Sequence, residues 1–244
     1  MKCKLPVHSF PRQFEDAVLE MMDQPEADPG MLRDDLANIR RINHCLGGHR
    51  LIRMECAQFF QKWPLPRVRV LDVCTGSADL PRVFVEECRS YKIKVDLLAI
   101  DRNRVMLETA RTLSRDYPEI QFQEADALQL PFEENSFDLV MCNLALHHFS
   151  VENAITILQS LGRIAKHRLI VNDLHRGRML CFGCETLLPL VCHNSMTRYD
   201  AALSARRAFT WDEMQRMAYH AGFPTIAIRH YFFGRQALII DTNP

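Results

Sequence analysis

The stretch Val68-Arg69-Val70-Leu71-Asp72-Val73-Cys74-Thr75-Gly76-Ser77-Ala78-Asp79-Leu80-Pro81 decides how the rest of the chain is read. Val68, Val70 and Leu71 make an apolar run of the kind that forms a buried strand, and the run ends on the acid Asp72. Gly76, Ser77 and Ala78 follow, small residues that let a ligand come close to the backbone. The helix expected next presents N–H groups with no partner inside it, and these face the same turn. A strand, a carboxylate, a tight turn and a helix N-terminus together make a seat for a nucleotide-like ligand.

Working outward, strands and helices alternate from residue 68 onward, which implies a parallel sheet with helices on both faces. A helix is expected over 80–88, and a second strand over 94–100, ending at Asp101 and Arg102. Residues 105–117 have helical spacing and are stopped by Pro118. A third strand, 120–124, leads to Ala125-Asp126-Ala127, and a fourth, 136–143, ends at Asn143 before a loop carrying His147 and His148. A helix over 151–165 and a fifth strand over 167–172, ending at Asp173, come next, and the apolar segment to Cys192 reads as helical around Pro189. Thr210 and Glu213 have the spacing of a capping box for a helix that runs to Gly222. Strands over 225–232 and 236–240, joined around Gly234, close the sheet as an antiparallel hairpin.

The expected fold class is therefore α/β: a doubly wound, seven-stranded, mostly parallel sheet with a C-terminal antiparallel hairpin. Ahead of it, residues 10–63 read as three helices, broken at Pro25, Asp28, Pro29 and Gly30 and again at Gly47-Gly48. Leu32, Leu36, Ile39 and Ile42 recur at helical spacing along the second of them. The expected organisation is an N-terminal helical cap over 1–65 and a main domain over 66–244, with a substrate-side insertion at about 174–207.

A chain of 244 residues, 48% of them apolar, is long enough to bury one sizeable core. Its 30 basic and 30 acidic residues balance, which argues against a general nucleic-acid binder. The N-terminus lacks the apolar core of a secretory signal and no apolar stretch approaches a membrane span, so a soluble cytoplasmic protein is expected. Nine scattered cysteines, an odd number in a chain of this size, read as free thiols. Cys181-Phe182-Gly183-Cys184, with Cys192-His193 downstream, is a single pair among apolar residues rather than two ligand pairs, and no metal is expected there.

In an open parallel sheet, ligands bind beyond the C-terminal strand ends at the switch point of strand order. Four such ends carry polar residues: Asp72, Asp101, Asp126 and Asn143. An acid after the second strand suits two ribose hydroxyls, and an acid followed by a small residue after the third suits the amine of an adenine. On these residues the chain resembles the class I S-adenosylmethionine-dependent methyltransferases, closely over 68–170 and more loosely to 240. Within that family it is similar to small-molecule enzymes of the ubiquinone and menaquinone biosynthesis type. Gly76-Ser77-Ala78-Asp79-Leu80, Ala99-Ile100-Asp101, Glu124-Ala125-Asp126-Ala127-Leu128-Gln129-Leu130-Pro131-Phe132 and Phe137-Asp138-Leu139-Val140 carry the likeness.

The resemblance implies an S-adenosylmethionine cofactor, leaving as S-adenosylhomocysteine. It implies that Asp72, Cys74, Gly76 and Ser77 border the methionine part. Asp101 and Arg102 would lie at the ribose, Asp126 and Ala127 at the adenine, and Asn143 near the reacting centre. The sequence departs from the family in having Cys74 and Ala78 where glycines alternate with Gly76. It also has Ile164-Ala165-Lys166-His167 in place of a proline-glycine-glycine turn.

An oxygen acceptor must lose its proton, and histidine suits that task near neutral pH. His148 is the first candidate for a general base and His147 the second. Asp173, His175, Arg176, Arg198, Tyr199 and Asp200 could form the polar edge of an otherwise apolar pocket. The expected activity is methyl transfer to a small, aromatic or polyketide-like or quinone-like molecule, at oxygen. The alternatives are an NAD(P)-dependent oxidoreductase, a protein or nucleic-acid methyltransferase, and a cofactor-binding protein without catalysis. Monomer and homodimer are equally compatible with the sequence.

Overall fold

The computed structural model describes residues 10–24, 26–231 and 234–242. Helices α1 (Pro29–Cys45) and α2 (Gly48–Lys62) precede strand β1 (Arg67–Val73). Then follow α3 (Asp79–Ser90), β2 (Lys94–Asp101), α4 (Arg104–Leu113), β3 (Ile120–Glu124), β4 (Phe137–Asn143), α5 (Val151–Ile164) and β5 (Ala165–Leu174). After these come α6 (Arg178–Phe182), α7 (Leu188–Val191), α8 (Ser195–Arg207), α9 (Trp211–His220), β6 (Ala227–Tyr231) and β7 (Arg235–Asp241). The seven strands lie in the order β3-β2-β1-β4-β5-β7-β6, with β7 antiparallel to both of its neighbours and the other pairs parallel.

Strand β1 shows why the sheet sits in the middle of the core. Val68 and Val70 pack on one face with Phe59 and Phe84, while Leu71 and Val73 pack on the other with Leu158, Leu161 and Met217. Successive side chains of a strand point to opposite faces, so a run that is apolar at both parities must be covered twice. Helices α2 and α3 supply one cover, α5 and α9 the other. Strand order reverses between β1 and β4, and this opens a crevice at their C-terminal ends.

Within α5, Gly162 permits a contact that no other residue would. A Cβ there would lie 2.1 Å from Cζ of Phe223. Gly162→Ala is expected to lower the unfolding free energy by about 1–2 kcal/mol, because overpacking outweighs the gain in helix propensity. Urea unfolding of Gly162→Ala alone and with Phe223→Leu checks this, since only the ring makes the methyl costly. Equal stability of the single variant and the parent would refute it.

The structure corrects several expectations. Among the described residues no α-helix precedes residue 25: residues 10–24 form an irregular strap with one 3-10 turn, Met21–Asp23. Its backbone is satisfied from outside, because the Asp200 carboxylate accepts from Met21 N (2.6 Å) and Met22 N (3.0 Å), and Arg207 donates to the carbonyls of Glu15 and Val18. Helix α8, absent from the sequence reading, supplies these partners and is capped by Asn194, which accepts from Thr197 N. Helix α4 ends at Leu113 rather than at 117, where Ser114 N closes on the Ala110 carbonyl. The apolar segment is helical around Pro189, but a π-helical turn, Gly183–Leu187, joins α6 to α7 just before the proline, which has no N–H to donate. The α5 to β5 connection needs no turn, since β5 begins at Ala165. Strand β6 starts at Ala227 rather than 225, and Pro25 and Phe232 lie outside the described residues. Among those residues no helix is long and apolar enough to cross a membrane.

Candidate functional site

A cavity of about 650 Å³ lies over the crevice between β1 and β4. Every cofactor-binding and catalytic candidate borders it: Asp72, Cys74, Gly76, Ser77, Asp101, Arg102, Asp126, Ala127, Asn143, His147 and His148. Its other walls are the strap, α1, α8 and the α6–α7 segment.

The turn after β1 has an alternating backbone. Cys74, Gly76 and Ala78 all take positive φ, at 58°, 54° and 54°. This conformation costs a residue with a Cβ roughly 1–2 kcal/mol, so Cys74 and Ala78 are held in it by their surroundings. Thr75 N donates to the Ile100 carbonyl (2.9 Å), Gly76 N to Asp101 Oδ2 (2.9 Å), and Arg82 Nη1 to the Ser77 carbonyl (2.7 Å). A Cβ placed on Gly76 meets no protein atom within 4 Å. The glycine therefore leaves an open cradle rather than avoiding a clash.

Asp101 also accepts from Asn103 N (2.9 Å), and burial pushes its carboxyl above the usual range. It ties the tip of β2 to the turn after β1 and keeps spare lone pairs toward the cavity. Asp126 is exposed and accepts from Leu128 N (2.9 Å), which orients the turn that carries buried Ala127. Arg102 is exposed at the rim. Asp72 is 1% exposed, with Oδ1 accepting from Asn143 Nδ2 (2.8 Å) while Asn143 Oδ1 accepts from Asn172 Nδ2 (3.1 Å). Asp72 Oδ2 has no partner among the described residues, and burial pushes this carboxyl up to about 7. Contact with Cys142, together with burial, pushes the Cys74 thiol well up.

The histidines sit in a 3-10 turn, Leu146–His148, directly after β4. His147 is 2% exposed, and the buried Asp173 carboxylate accepts from its backbone N (3.0 Å) and from Nδ1 (2.6 Å). The carboxylate makes Nδ1 the protonated nitrogen and leaves Nε2 toward the cavity. His148 Nδ1 lies 3.0 Å from Asp23 Oδ2. Both Nε2 atoms approach Glu20, at 3.9 Å from His147 and 3.7 Å from His148. Burial alone would lower the pKa of His148, but the carboxylates of Glu20 and Asp23 carry it up to about 9.

The expected polar edge divides. Asp173 and Asp200 belong to the site, and burial raises Asp200 to about 7. His175 stacks on Trp211 at 4.3 Å, and buried Arg176 pairs with Glu213 at 2.8 Å, holding α9 rather than facing the cavity. The sequence reading missed Glu20 and Asp23, which stand in the strap it took for a helix. It also missed Arg235, which is 3% exposed, borders the cavity and has an Nη1 without a partner among the described residues. No local periodicity marks these three, because each is placed by a contact with a distant part of the chain. The buried Asp72 Oδ2, the open cradle at Gly76 and the unpaired Arg235 Nη1 fit a ligand that carries hydroxyl, amine and carboxylate groups.

Comparisons with known proteins agree with this geometry. The methyltransferase domain family matches residues 70–168. The demethylmenaquinone methyltransferase of Geobacillus stearothermophilus is 28% identical over 70% of this chain and 76% of its own. The 2-phytyl-1,4-naphtoquinone methyltransferase of Synechococcus elongatus is 31% identical over 66% of this chain and 65% of its own. Among solved structures, the magnesium protoporphyrin IX methyltransferase of Synechocystis PCC 6803 with bound S-adenosylmethionine has a TM-score of 0.56 at 16% identity, covering 84% of each chain, a likeness of fold. The chain belongs to the class I S-adenosylmethionine-dependent methyltransferases, with S-adenosylmethionine as its cofactor, and resembles those of quinone biosynthesis.

Proposed function

We propose that this enzyme methylates an oxygen of a small aromatic, polyketide-like or quinone-like molecule. The supporting observation is a single cavity that runs from the turn after β1 to the His147–His148 pair and on to the apolar α6–α7 wall. When bound, S-adenosylmethionine supplies a sulfonium methyl group. Asp101 would hold its ribose, with Arg102 at the rim, and Asp126 and Ala127 its adenine. Gly76 and Ser77 would take the methionine part beside Asp72, Cys74 and Asn143, with Arg235 at its carboxylate. The histidine pair would meet the acceptor oxygen and handle its proton, and the surrounding walls exclude water. The substrate class rests on the apolar lining and on the quinone substrates named for the relatives. We place the enzyme in the cytoplasm.

Incubation with methyl-labelled S-adenosylmethionine and a panel of phenols, hydroquinones and carbon acids tests this. The expected product is an O-methyl ether identified by mass spectrometry and NMR, and products methylated only at carbon would overturn the oxygen assignment. Gly76→Ala checks the cofactor placement separately. It should weaken S-adenosylmethionine binding at least tenfold in calorimetry, against a stability loss of about 1 kcal/mol from the positive φ. Unchanged affinity would mean that the cofactor does not approach this turn.

A further inference from the structure

The residues around the histidine pair have a pattern that methyl transfer alone does not require. Two imidazoles point Nε2 at one carboxylate, and each has a second carboxylate behind it on Nδ1. Glu20 Oε1 lies 3.9 Å from His147 Nε2 and Oε2 lies 3.7 Å from His148 Nε2. One ligand atom from each of the three residues lies within 4.8 Å of the others. Around a four-coordinate cation with bonds of about 2.0–2.2 Å, such atoms stand roughly 3.3–3.5 Å apart. The two contacts of Glu20 need a closure of a few tenths of an ångström to reach that spacing, and the widest separation within the trio needs at most about 1.5 Å.

The outer partners are those a metal site needs. Asp173 accepts from His147 Nδ1 at 2.6 Å, Asp23 faces His148 Nδ1 at 3.0 Å, and Ser204 Oγ donates to Glu20 Oε1 at 2.6 Å. Carboxylates on Nδ1 fix the tautomer that leaves Nε2 free to ligate, and such partners tune affinity. We propose that Glu20, His147 and His148 bind one divalent transition-metal cation whose open coordination position faces the cavity. Two imidazoles and a carboxylate suit Zn²⁺, Fe²⁺ or Co²⁺ and do not suit Mg²⁺, which prefers an all-oxygen octahedron.

This inference rests on the reading that the acceptor binds beside the histidines. An acceptor hydroxyl on the open position would lose its proton to solvent more readily, as metal-bound water does. The cation would also join the strap, through Glu20, to the turn after β4, and so fix one cavity wall to the sheet.

The test uses the full chain after dialysis against a chelator. It is titrated with Zn²⁺ by calorimetry and with Co²⁺ by visible absorption, and S-adenosylmethionine affinity is measured on the same samples. The expected result is one Co²⁺ per chain with the strong visible band of a four-coordinate nitrogen and oxygen site, displaced by Zn²⁺ and not by equimolar Mg²⁺. Glu20→Gln and His148→Ala should each weaken Zn²⁺ binding by at least the roughly 10–100-fold that losing an outer partner costs. Asp23→Asn, at a half-buried position, should weaken it about tenfold. All three variants should bind S-adenosylmethionine as the parent does, which shows that they are folded.

If the parent binds S-adenosylmethionine but neither metal at micromolar concentration, the cation site is overturned and the methyltransferase reading stands. Metal binding retained by both Glu20→Gln and His148→Ala, or displacement by Mg²⁺, overturns it as well. Parent protein that fails to bind S-adenosylmethionine refutes instead the cofactor assignment on which the functional reading depends.

Discussion

Asp173→Asn should lower kcat by about 10²–10⁴-fold while S-adenosylmethionine affinity stays within threefold, by analogy with loss of the orienting acid in a serine protease triad. Asp173 is fully buried and accepts from the backbone N and Nδ1 of His147 and from Leu174 N. Asparagine keeps the shape but offers one oxygen, and its NH₂ group can donate toward Nδ1. The imidazole then favours the tautomer with hydrogen on Nε2, and the lone pair that faces the cavity is lost. The effect is the same whether that lone pair would take a proton or a cation. Steady-state kinetics with an identified acceptor, alongside cofactor titration, separates this from general damage, since the lost buried hydrogen bond costs stability by only about 1–3 kcal/mol. A kcat within a few-fold of the parent would remove His147 from the chemistry.

The second large effect is one of stability and pH. The Asp72 carboxyl is raised by burial to about 7 from an ordinary value of 3.8. The folded protein therefore binds more protons than the unfolded chain between about pH 4 and pH 7. The contribution of Asp72 to stability is fully present below about pH 4 and is lost as the pH rises through 7. Asp72→Asn retains an oxygen for Asn143 and removes the charge. It is expected to exceed the parent in unfolding free energy at pH 8 by an amount of the order of a few kcal/mol, and the advantage should shrink steadily toward pH 4. Urea unfolding across that range measures the difference. An advantage independent of pH, or a variant less stable at pH 8 than at pH 5 relative to the parent, would contradict the assignment. A simultaneous loss of cofactor affinity would show what the buried charge is kept for, since sites retain groups that cost stability.

Much of the fold was legible because its determinants are local. The apolar residues of β1 have strand parity, Thr210 and Glu213 form the capping box in the structure, and Gly234 sits between the paired strands β6 and β7. The row of polar residues along one side of the cavity was legible for the same reason. Asp72, Asp101, Asp126 and Asn143 all stand at or just beyond strand ends, and strand ends converge wherever a parallel sheet switches direction. The positions of Cys74 and Ala78 are a further case. They depart from an alternating glycine pattern in residue type, and backbone sign, rather than side-chain space, links them to Gly76.

What the sequence by itself determined is the parallel sheet, its closing hairpin and the row of polar strand ends, because strand period, caps and turn residues are written within a few positions of one another. Only the tertiary structure decided the surroundings of the histidine pair. His148 meets Asp23 across 125 positions of chain, and Ser204 meets Glu20 across 184. Residues 10–24 found their hydrogen-bond partners on α8 instead of within a helix of their own, and that brought two acids to the histidines. A contact between segments so far apart leaves no periodic trace in either, since its geometry exists only once the sheet between them has formed.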